Sequence, residues 1–192
     1  DTRSYMVRMV QDGPLPDFYD RKALFVEAAD RLLDAGYTRA GFESFAKPND
    51  ILAGAIDNVQ ATYNSLGTVT AEALNFVAVG SSAHGALGDD YYYQNYYEHD
   101  LYQGALDKGE FPVYRGMKLS DEDKLRRDVI KQIRTYFTVD FSKINSKYNI
   151  DFRRHFEKEL VLVKEFERDL LLKIENDKLT LTELGQHFSP QV

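Results

Sequence analysis

Leu32-Leu33-Asp34-Ala35-Gly36-Tyr37-Thr38-Arg39-Ala40-Gly41-Phe42-Glu43-Ser44-Phe45-Ala46-Lys47-Pro48-Asn49-Asp50 decides the reading of the fold. Between Asp17 and Ala35, Leu24, Phe25, Ala28 and Leu32 recur at helical spacing, so an amphipathic helix runs into Gly36, where a left-handed C-cap favours a residue without a Cβ. Tyr37 to Phe45 is short and rich in strand formers, which predicts a strand directly after the glycine turn. Pro48-Asn49-Asp50 closes that strand and caps a second helix, expected from about Asp50 to Tyr63 because Ile51, Leu52, Ala55, Ile56, Val59 and Tyr63 share one face. A helix feeding a strand through a tight glycine turn is the repeat unit of an α/β barrel or an open parallel sheet.

Downstream, Leu74-Asn75-Phe76-Val77-Ala78-Val79-Gly80 is nearly all apolar and reads as a strand buried on both faces. It opens into Ser81-Ser82-Ala83-His84-Gly85, a small-residue loop that lets a backbone approach a ligand closely. Tyr91, Tyr92, Tyr93, Tyr96, Tyr97 and Tyr102 then crowd more rings together than one helical face holds. Two readings stand side by side for them: the lining of a broad aromatic pocket, or packing at a domain junction with wet hydroxyls.

The pattern changes near Gly116, which sets two expected domains, 1–115 and 116–192. Ser120 with Asp123 makes a capping start, and Leu125, Val129, Ile130, Ile133 and Phe137 form a helical stripe. A short helix is expected around Ser142 to Tyr148, then a stripe of Phe152, Phe156, Leu160, Val163 and Phe166. Leu171 to Leu181 reads as two strands around an Asn176-Asp177 turn. Three helices and a hairpin predict a mainly helical, winged-helix-like C-terminal domain, so the fold class is α/β followed by α.

Across 192 residues, 43% apolar and 13% aromatic, a sizeable core can be buried. A net charge of −7 argues against a nucleic-acid partner, because phosphate binding needs basic surface, and the expected third helix carries Glu157, Glu159, Glu165 and Glu167. No run of about 18 apolar residues occurs, so no membrane partner is expected and the localisation is read as cytoplasmic. Asp1-Thr2-Arg3-Ser4-Tyr5 shows neither an initiator Met nor a signal pattern, which predicts that the chain starts within a longer gene product.

The absence of cysteine excludes thiolate ligands and a cysteine nucleophile from this segment. His84, His99, His155 and His187 pair with no carboxylate at metal-ligand spacing, so no metal site is expected here. His84 follows a predicted strand, in the place where α/β folds put ligands, and is either a ligand-facing residue or a structural turn histidine. Gly80, Gly85 and Gly88 lack the spacing of a phosphate-binding loop. Arg126-Arg127-Asp128 with Lys131 reads as a solvated helix face with an Arg–Asp pair, or more sharply as a site for ligand carboxylates.

Several of these runs carry a family resemblance. Gly41 to Asp50 resembles the glycine, acidic residue, Phe-Ala-Arg/Lys-Pro-Asp stretch of oxygen-independent coproporphyrinogen III oxidases. In the same order, Gly80-Ser81-Ser82-Ala83-His84 is similar to that family's Gly-Val-Ser-Ala loop, and Tyr93-Gln94-Asn95 to its Tyr-Ala-Gln-Asn segment. Arg126-Arg127-Asp128-Val129-Ile130-Lys131 resembles its Arg-Arg-Asp-Val-Ile-Lys helix. The resemblance spans nearly the whole chain but only the later half of the family's length, after the CxxxCxxC motif.

What it implies is a partial (β/α) radical-SAM barrel that holds a [4Fe-4S] cluster and S-adenosylmethionine in the full-length protein, with the cluster ligands outside this segment. The implied reaction is oxidative decarboxylation of coproporphyrinogen III to protoporphyrinogen IX, started by a 5′-deoxyadenosyl radical that takes hydrogen from a propionate. The tetrapyrrole substrate and the N-terminal half of the same polypeptide are the implied partners, no catalytic residue falls in this segment, and the segment alone is expected to be inactive.

Carried over by position, His84 stands where the family contacts S-adenosylmethionine, with Ala83 beside it as the small residue that permits approach. An aliphatic residue is usual at the position of His84. The family's Asn-Phe-Gln-Gly reads Asn64-Ser65-Leu66-Gly67 here, so Ser65 and Leu66 occupy cofactor-region positions without the ring and the amide. That departure keeps other readings open: an anaerobic heme-degrading methyltransferase, a heme chaperone of the same superfamily, or a non-enzymatic winged-helix interaction module.

Overall fold

The computed structural model describes residues 15–70 and 75–189. Two compact units result, one ending at Thr38 and the other beginning at Arg39. In the first, helix α1 (Phe18–Asp34) starts at Asp17, whose carboxylate accepts from Asp20 N at 2.9 Å while Asp17 N donates to Asp20 at 3.2 Å. It ends as anticipated at Gly36, with φ +83°, where Gly36 N donates to Leu33 O and Tyr37 N to Leu32 O.

The second unit departs from the predicted strand at once. Extended backbone is limited to β1 (Thr38–Arg39) and β2 (Phe45–Ala46), because the chain doubles back at Gly41 (φ +81°) and Ala40 N donates to Ser44 O at 2.8 Å. A Cβ at Gly41 would stand 2.4 Å from Thr68 Oγ1 and 2.7 Å from Arg134 O. Packing against the later chain, which local strand propensity does not record, imposes this turn.

Helix α2 (Ile51–Asp57) is capped by Asp50, whose carboxylate accepts from Leu52 N. It stops at Asp57 rather than running to Tyr63. Val59 takes φ 57°, and Ala61–Asn64 (β3) pairs antiparallel with Gly67–Thr70 (β4). The Tyr136 hydroxyl settles the competition: it accepts from Ala61 N and donates to Ala61 O, each at 2.9 Å, which holds that residue extended.

The doubly buried strand expected at Leu74–Gly80 is also corrected. Leu74 lies outside the described residues, and Asn75–Gly80 makes one antiparallel bridge, Phe76 to Ala86. Exposure alternates along it, with Val77 74% and Val79 84% exposed. A sheet follows, of β5 (His84–Leu87), β6 (Tyr91–Asn95) and β7 (Val113–Lys118) in the antiparallel order β5-β6-β7, with helix α3 (His99–Asp107) between β6 and β7. His84 is therefore the first residue of a strand and not a loop residue. Gly116 lies inside β7, opposite Tyr93.

From Leu119 the chain is mainly helical. Helix α4 (Asp121–Tyr136) opens with the expected Ser120–Asp123 capping box. Phe137 turns it in a left-handed conformation into β8 (Thr138–Asp140), a strand that periodicity does not reveal. Helix α5 (Phe141–Tyr148) matches its expected span, whereas the single stripe from Phe152 to Phe166 divides into α6 (Phe152–His155) and α7 (Glu157–Arg168). Strands β9 (Leu172–Glu175) and β10 (Lys178–Leu181) form the anticipated hairpin, with Asn176 and Asp177 both at positive φ, and α8 (Glu183–Gln186) follows. The sheet order β8-β10-β9 closes over a core that includes Phe141, Ile144, Phe152, Phe156, Leu172 and Leu179.

Phe141 is fully buried and stacks on Phe152 with ring centroids 4.1 Å apart. Phe141→Ala removes that ring and leaves a cavity, so it should cost about 3–5 kcal/mol in urea unfolding. A loss below about 1 kcal/mol would show that this core does not hold the helices and hairpin together.

Candidate functional site

Two sequence runs far apart in the chain are joined by side chain to backbone bonds. Asn95, 1% exposed, donates from Nδ2 to the carbonyls of Ala78 and Gly80 at 3.2 and 3.0 Å. The Tyr93 hydroxyl accepts from Ala78 N and the Tyr102 hydroxyl from Gly80 N, both at 2.9 Å. Gln94 Nε2 donates to Ser82 O, and Asn95 N donates to Ala83 O. The run Tyr93-Gln94-Asn95 thus fixes the path of Ala78 to Ala83. Gly85 is needed beneath Tyr93, because a Cβ there would meet the ring and hydroxyl at 2.2–2.4 Å.

This framework borders a cavity of about 510 Å³. Its walls are the β3–β4 turn at Asn64 and Ser65, the sheet at His84, Tyr92, Tyr93 and Met117, and helix α4 at Arg126, Arg127, Ile130 and Lys131. Helix α4 is clamped to the β5–β6 turn: Arg127 donates to the Asp89 carboxylate at 2.6 Å and to Asp89 O at 3.1 Å, and Lys124 pairs with Asp90. At its other end, Phe42 N donates to Arg134 O at 3.0 Å, and the Arg134 guanidinium lies 5.5 Å from the Phe42 ring and 5.3 Å from that of Tyr63.

Of the expected site residues, Ser65 and His84 come together on this cavity. Ser65 and Leu66 form the tip of the β3–β4 hairpin, where the Asn64 side chain accepts from Leu66 N at 2.8 Å. Leu66 is exposed and does not border the cavity, and Ala83 meets it only through the neighbouring His84. The tyrosines divide between the two readings: Tyr92 and Tyr93 line the cavity, whereas Tyr96 and Tyr97 pack on Tyr114.

The Arg-Arg-Asp cluster is more than a solvated face. Arg126 bridges Glu122 and Glu159, Arg127 is mostly buried between Asp89 and Asp128, and Asp128 accepts from Tyr148 at 2.7 Å and pairs with Lys147. Burial works to lower the Arg127 pKa, but Tyr92, Asp89 and Asp128 outweigh it. Burial also works to raise the Asp128 carboxyl, and Lys147, Tyr148 and Arg127 together hold it below the usual carboxylate range. The clamp at Asp89 and Asp90 was not singled out in the sequence, although the Gly88-Asp89-Asp90 turn between two alternating strands marks where acidic groups cluster. Among the described residues no group of three His, Cys, Asp or Glu is arranged to hold a metal, and no helix is long and apolar enough to cross a membrane.

Residues 119–188 match the family described as the HemN C-terminal domain. The chain is similar to oxygen-independent coproporphyrinogen III oxidases from Helicobacter pylori (34% identical over 179 residues, covering 93% of this chain and 39% of the relative) and Pseudomonas aeruginosa (30%, with the same coverages). It also superposes on the solved coproporphyrinogen III oxidase of Escherichia coli, described as a radical SAM enzyme, with a TM-score of 0.82 and 28% identity over 92% of this chain and 40% of that one. The chain therefore matches the C-terminal region of the oxygen-independent coproporphyrinogen III oxidase family and spans about two fifths of the length of these relatives.

Two outcomes test the site's construction. Gly85→Ala pushes the Tyr93 ring aside and breaks its bond to Ala78 N, so it should cost about 1–3 kcal/mol and speed amide exchange at Ala78. Unchanged exchange at Ala78 would show that Tyr93 does not hold the loop. Because Asp128 is lowered in the fold, its stabilisation is complete above the ordinary aspartate range and fades as pH falls through the folded value. Asp128→Asn should therefore destabilise by on the order of 1 kcal/mol at neutral pH, with the gap to wild type closing below about pH 4. A gap that stays constant down to pH 2 would remove the charge from the explanation.

Proposed function

We propose that this chain is the later part of a cytoplasmic radical S-adenosylmethionine oxidoreductase that decarboxylates coproporphyrinogen III to protoporphyrinogen IX in heme biosynthesis. The observation that carries this reading is the one cavity onto which His84, Tyr93 and the Arg126–Lys131 stretch converge, each from a run that resembles that family's, together with Ser65 at the position where the chain departs from it. On this reading 1–115 ends a partial barrel and 116–192 is a winged-helix-like cap. Small, unclosed sheets followed by a mostly helical region are compatible with such an arrangement.

The donor set of this chain does not suit an iron–sulfur cluster, because it has no cysteine, and thiolates are the usual cluster ligands. The cluster belongs, on this reading, to the preceding half of the polypeptide. The residues do suit a neighbour of S-adenosylmethionine: His84 offers an imidazole at the cavity edge, with the small Ala83 beside it in the chain, and Ser65 offers a hydroxyl. When bound, S-adenosylmethionine supplies the radical that removes hydrogen from a propionate. The exposed row of Val77 and Val79 is an apolar edge that the preceding half can cover.

The test uses the full-length parent, reconstituted anaerobically with its cluster and S-adenosylmethionine and given coproporphyrinogen III. Mass spectrometry should show loss of two carboxyl groups as carbon dioxide. A methylated or ring-opened tetrapyrrole would assign it instead to a heme-degrading paralogue, and tight heme binding without turnover to a chaperone. The exchange of phenylalanine and glutamine for Ser65 and Leu66 is the feature that makes those outcomes informative.

A further inference from the structure

Charge accounting around the cavity isolates one group. Arg126 is neutralised by Glu122 and Glu159, and Arg127 by Asp89. Asp123 is occupied at the start of α4, accepting from Ser120 N at 2.9 Å and Ser120 Oγ at 2.6 Å. Lys131 also lines the cavity, half-buried, and makes no hydrogen bond or ion pair with any described residue. Its more distant neighbours are mixed, with Arg127 and Lys147 opposing its charge and Asp128 and Asp89 favouring it. Burial first, and then Arg127, holds its pKa below the ordinary lysine value, so the ammonium bears an uncompensated desolvation cost.

The cavity wall beside it is apolar and aromatic, built from Ile130, Met117, Tyr92 and Tyr93. A half-buried cation without a partner, set in such a wall, is complementary to a carboxylate carried on a flat or apolar skeleton. Arg127, one helical turn earlier, is held by Asp89 and is not free to turn toward a ligand.

We propose that Lys131 is the anion anchor of this cavity and receives a carboxylate of the bound organic acid. That the acid is a tetrapyrrole propionate rests on the proposed function; the anchor itself does not. Among the described cations that line the cavity, Lys131 alone has no ion-pair partner, so it orients the carboxylate end, and the rings of Tyr92 and Tyr93 face the carbon skeleton.

The experiment uses the full 192-residue chain with its lysines reductively 13C-methylated, compared with Lys131→Met and Lys131→Arg, and thermal melts to establish folding. The probes are coproporphyrin III, its tetramethyl ester and glutarate. Coproporphyrin III and glutarate should both shift the Lys131 methyl resonance. Lys131→Met should weaken their binding about tenfold, as expected for one charge-assisted hydrogen bond, and Lys131→Arg should largely restore it. The ester should bind wild type and variants alike. If glutarate binding depends on Lys131 while coproporphyrin III does not bind, the anchor stands and the tetrapyrrole reading falls. If neither acid's binding depends on Lys131, or the ester binds as tightly as the acid, the anchor is refuted whatever the parent's activity.

Discussion

Helix α4 is the constraint on which the remaining arrangement depends. Its first turns are tied through Lys124 and Arg127 to Asp90 and Asp89, so the β5–β6 hairpin has one position relative to the helix. Its last turn accepts from Phe42 N at Arg134 O and presents Tyr136 to both backbone groups of Ala61. Between those attachments the buried side chains Leu125 and Ile133 enter the C-terminal core. A rod held at both ends and packed along one face fixes the relative placement of hairpins that do not pair with each other, and the cavity is the space they leave.

The ion pairs of the chain differ in what they do for the fold. Lys147 and Arg153 are largely exposed, where a pair contributes little after screening and side-chain entropy. Arg127 is mostly buried and has two acceptors on Asp89, so losing that partner strands a charge rather than removing a contact. The pair therefore acts chiefly by excluding alternative positions of the β5–β6 turn. Tyr93 and Asn95 serve similarly for Ala78–Gly80, where the backbone lacks a ladder and side chains supply the missing partners.

Gly41 and Gly85 show why short runs shared with a family need not sit at the chemistry. Gly41 admits Thr68 and Arg134, and Gly85 admits the Tyr93 ring, so both permit close approach between segments. Their effect on a bound molecule passes through the position of the cavity wall. Ser65 and Leu66, by contrast, occupy an exposed hairpin tip whose conformation is set by Asn64 and Gly67. Their side chains can change without disturbing the turn, which is where a binding site diverges at small cost in stability.

Local signals were legible where they were self-sufficient. The Asp50 and Ser120 caps, the glycine end of α1, the stripe of α4 and the Asn176–Asp177 hairpin each depend on a few adjacent residues, and each was recoverable from the sequence. The family runs were legible too, and Ser65 and His84 from two of them line one cavity. Tertiary contacts decided the rest. The end of α2 depends on Tyr136, the turn at Gly41 on Arg134 and Thr68, and the isolation of Lys131 on which carboxylates the neighbouring arginines already hold. Caps and turns draw their energy from bonds a few residues apart, whereas the competition between helix and strand and the charge left over in a cavity are settled by groups distant along the chain.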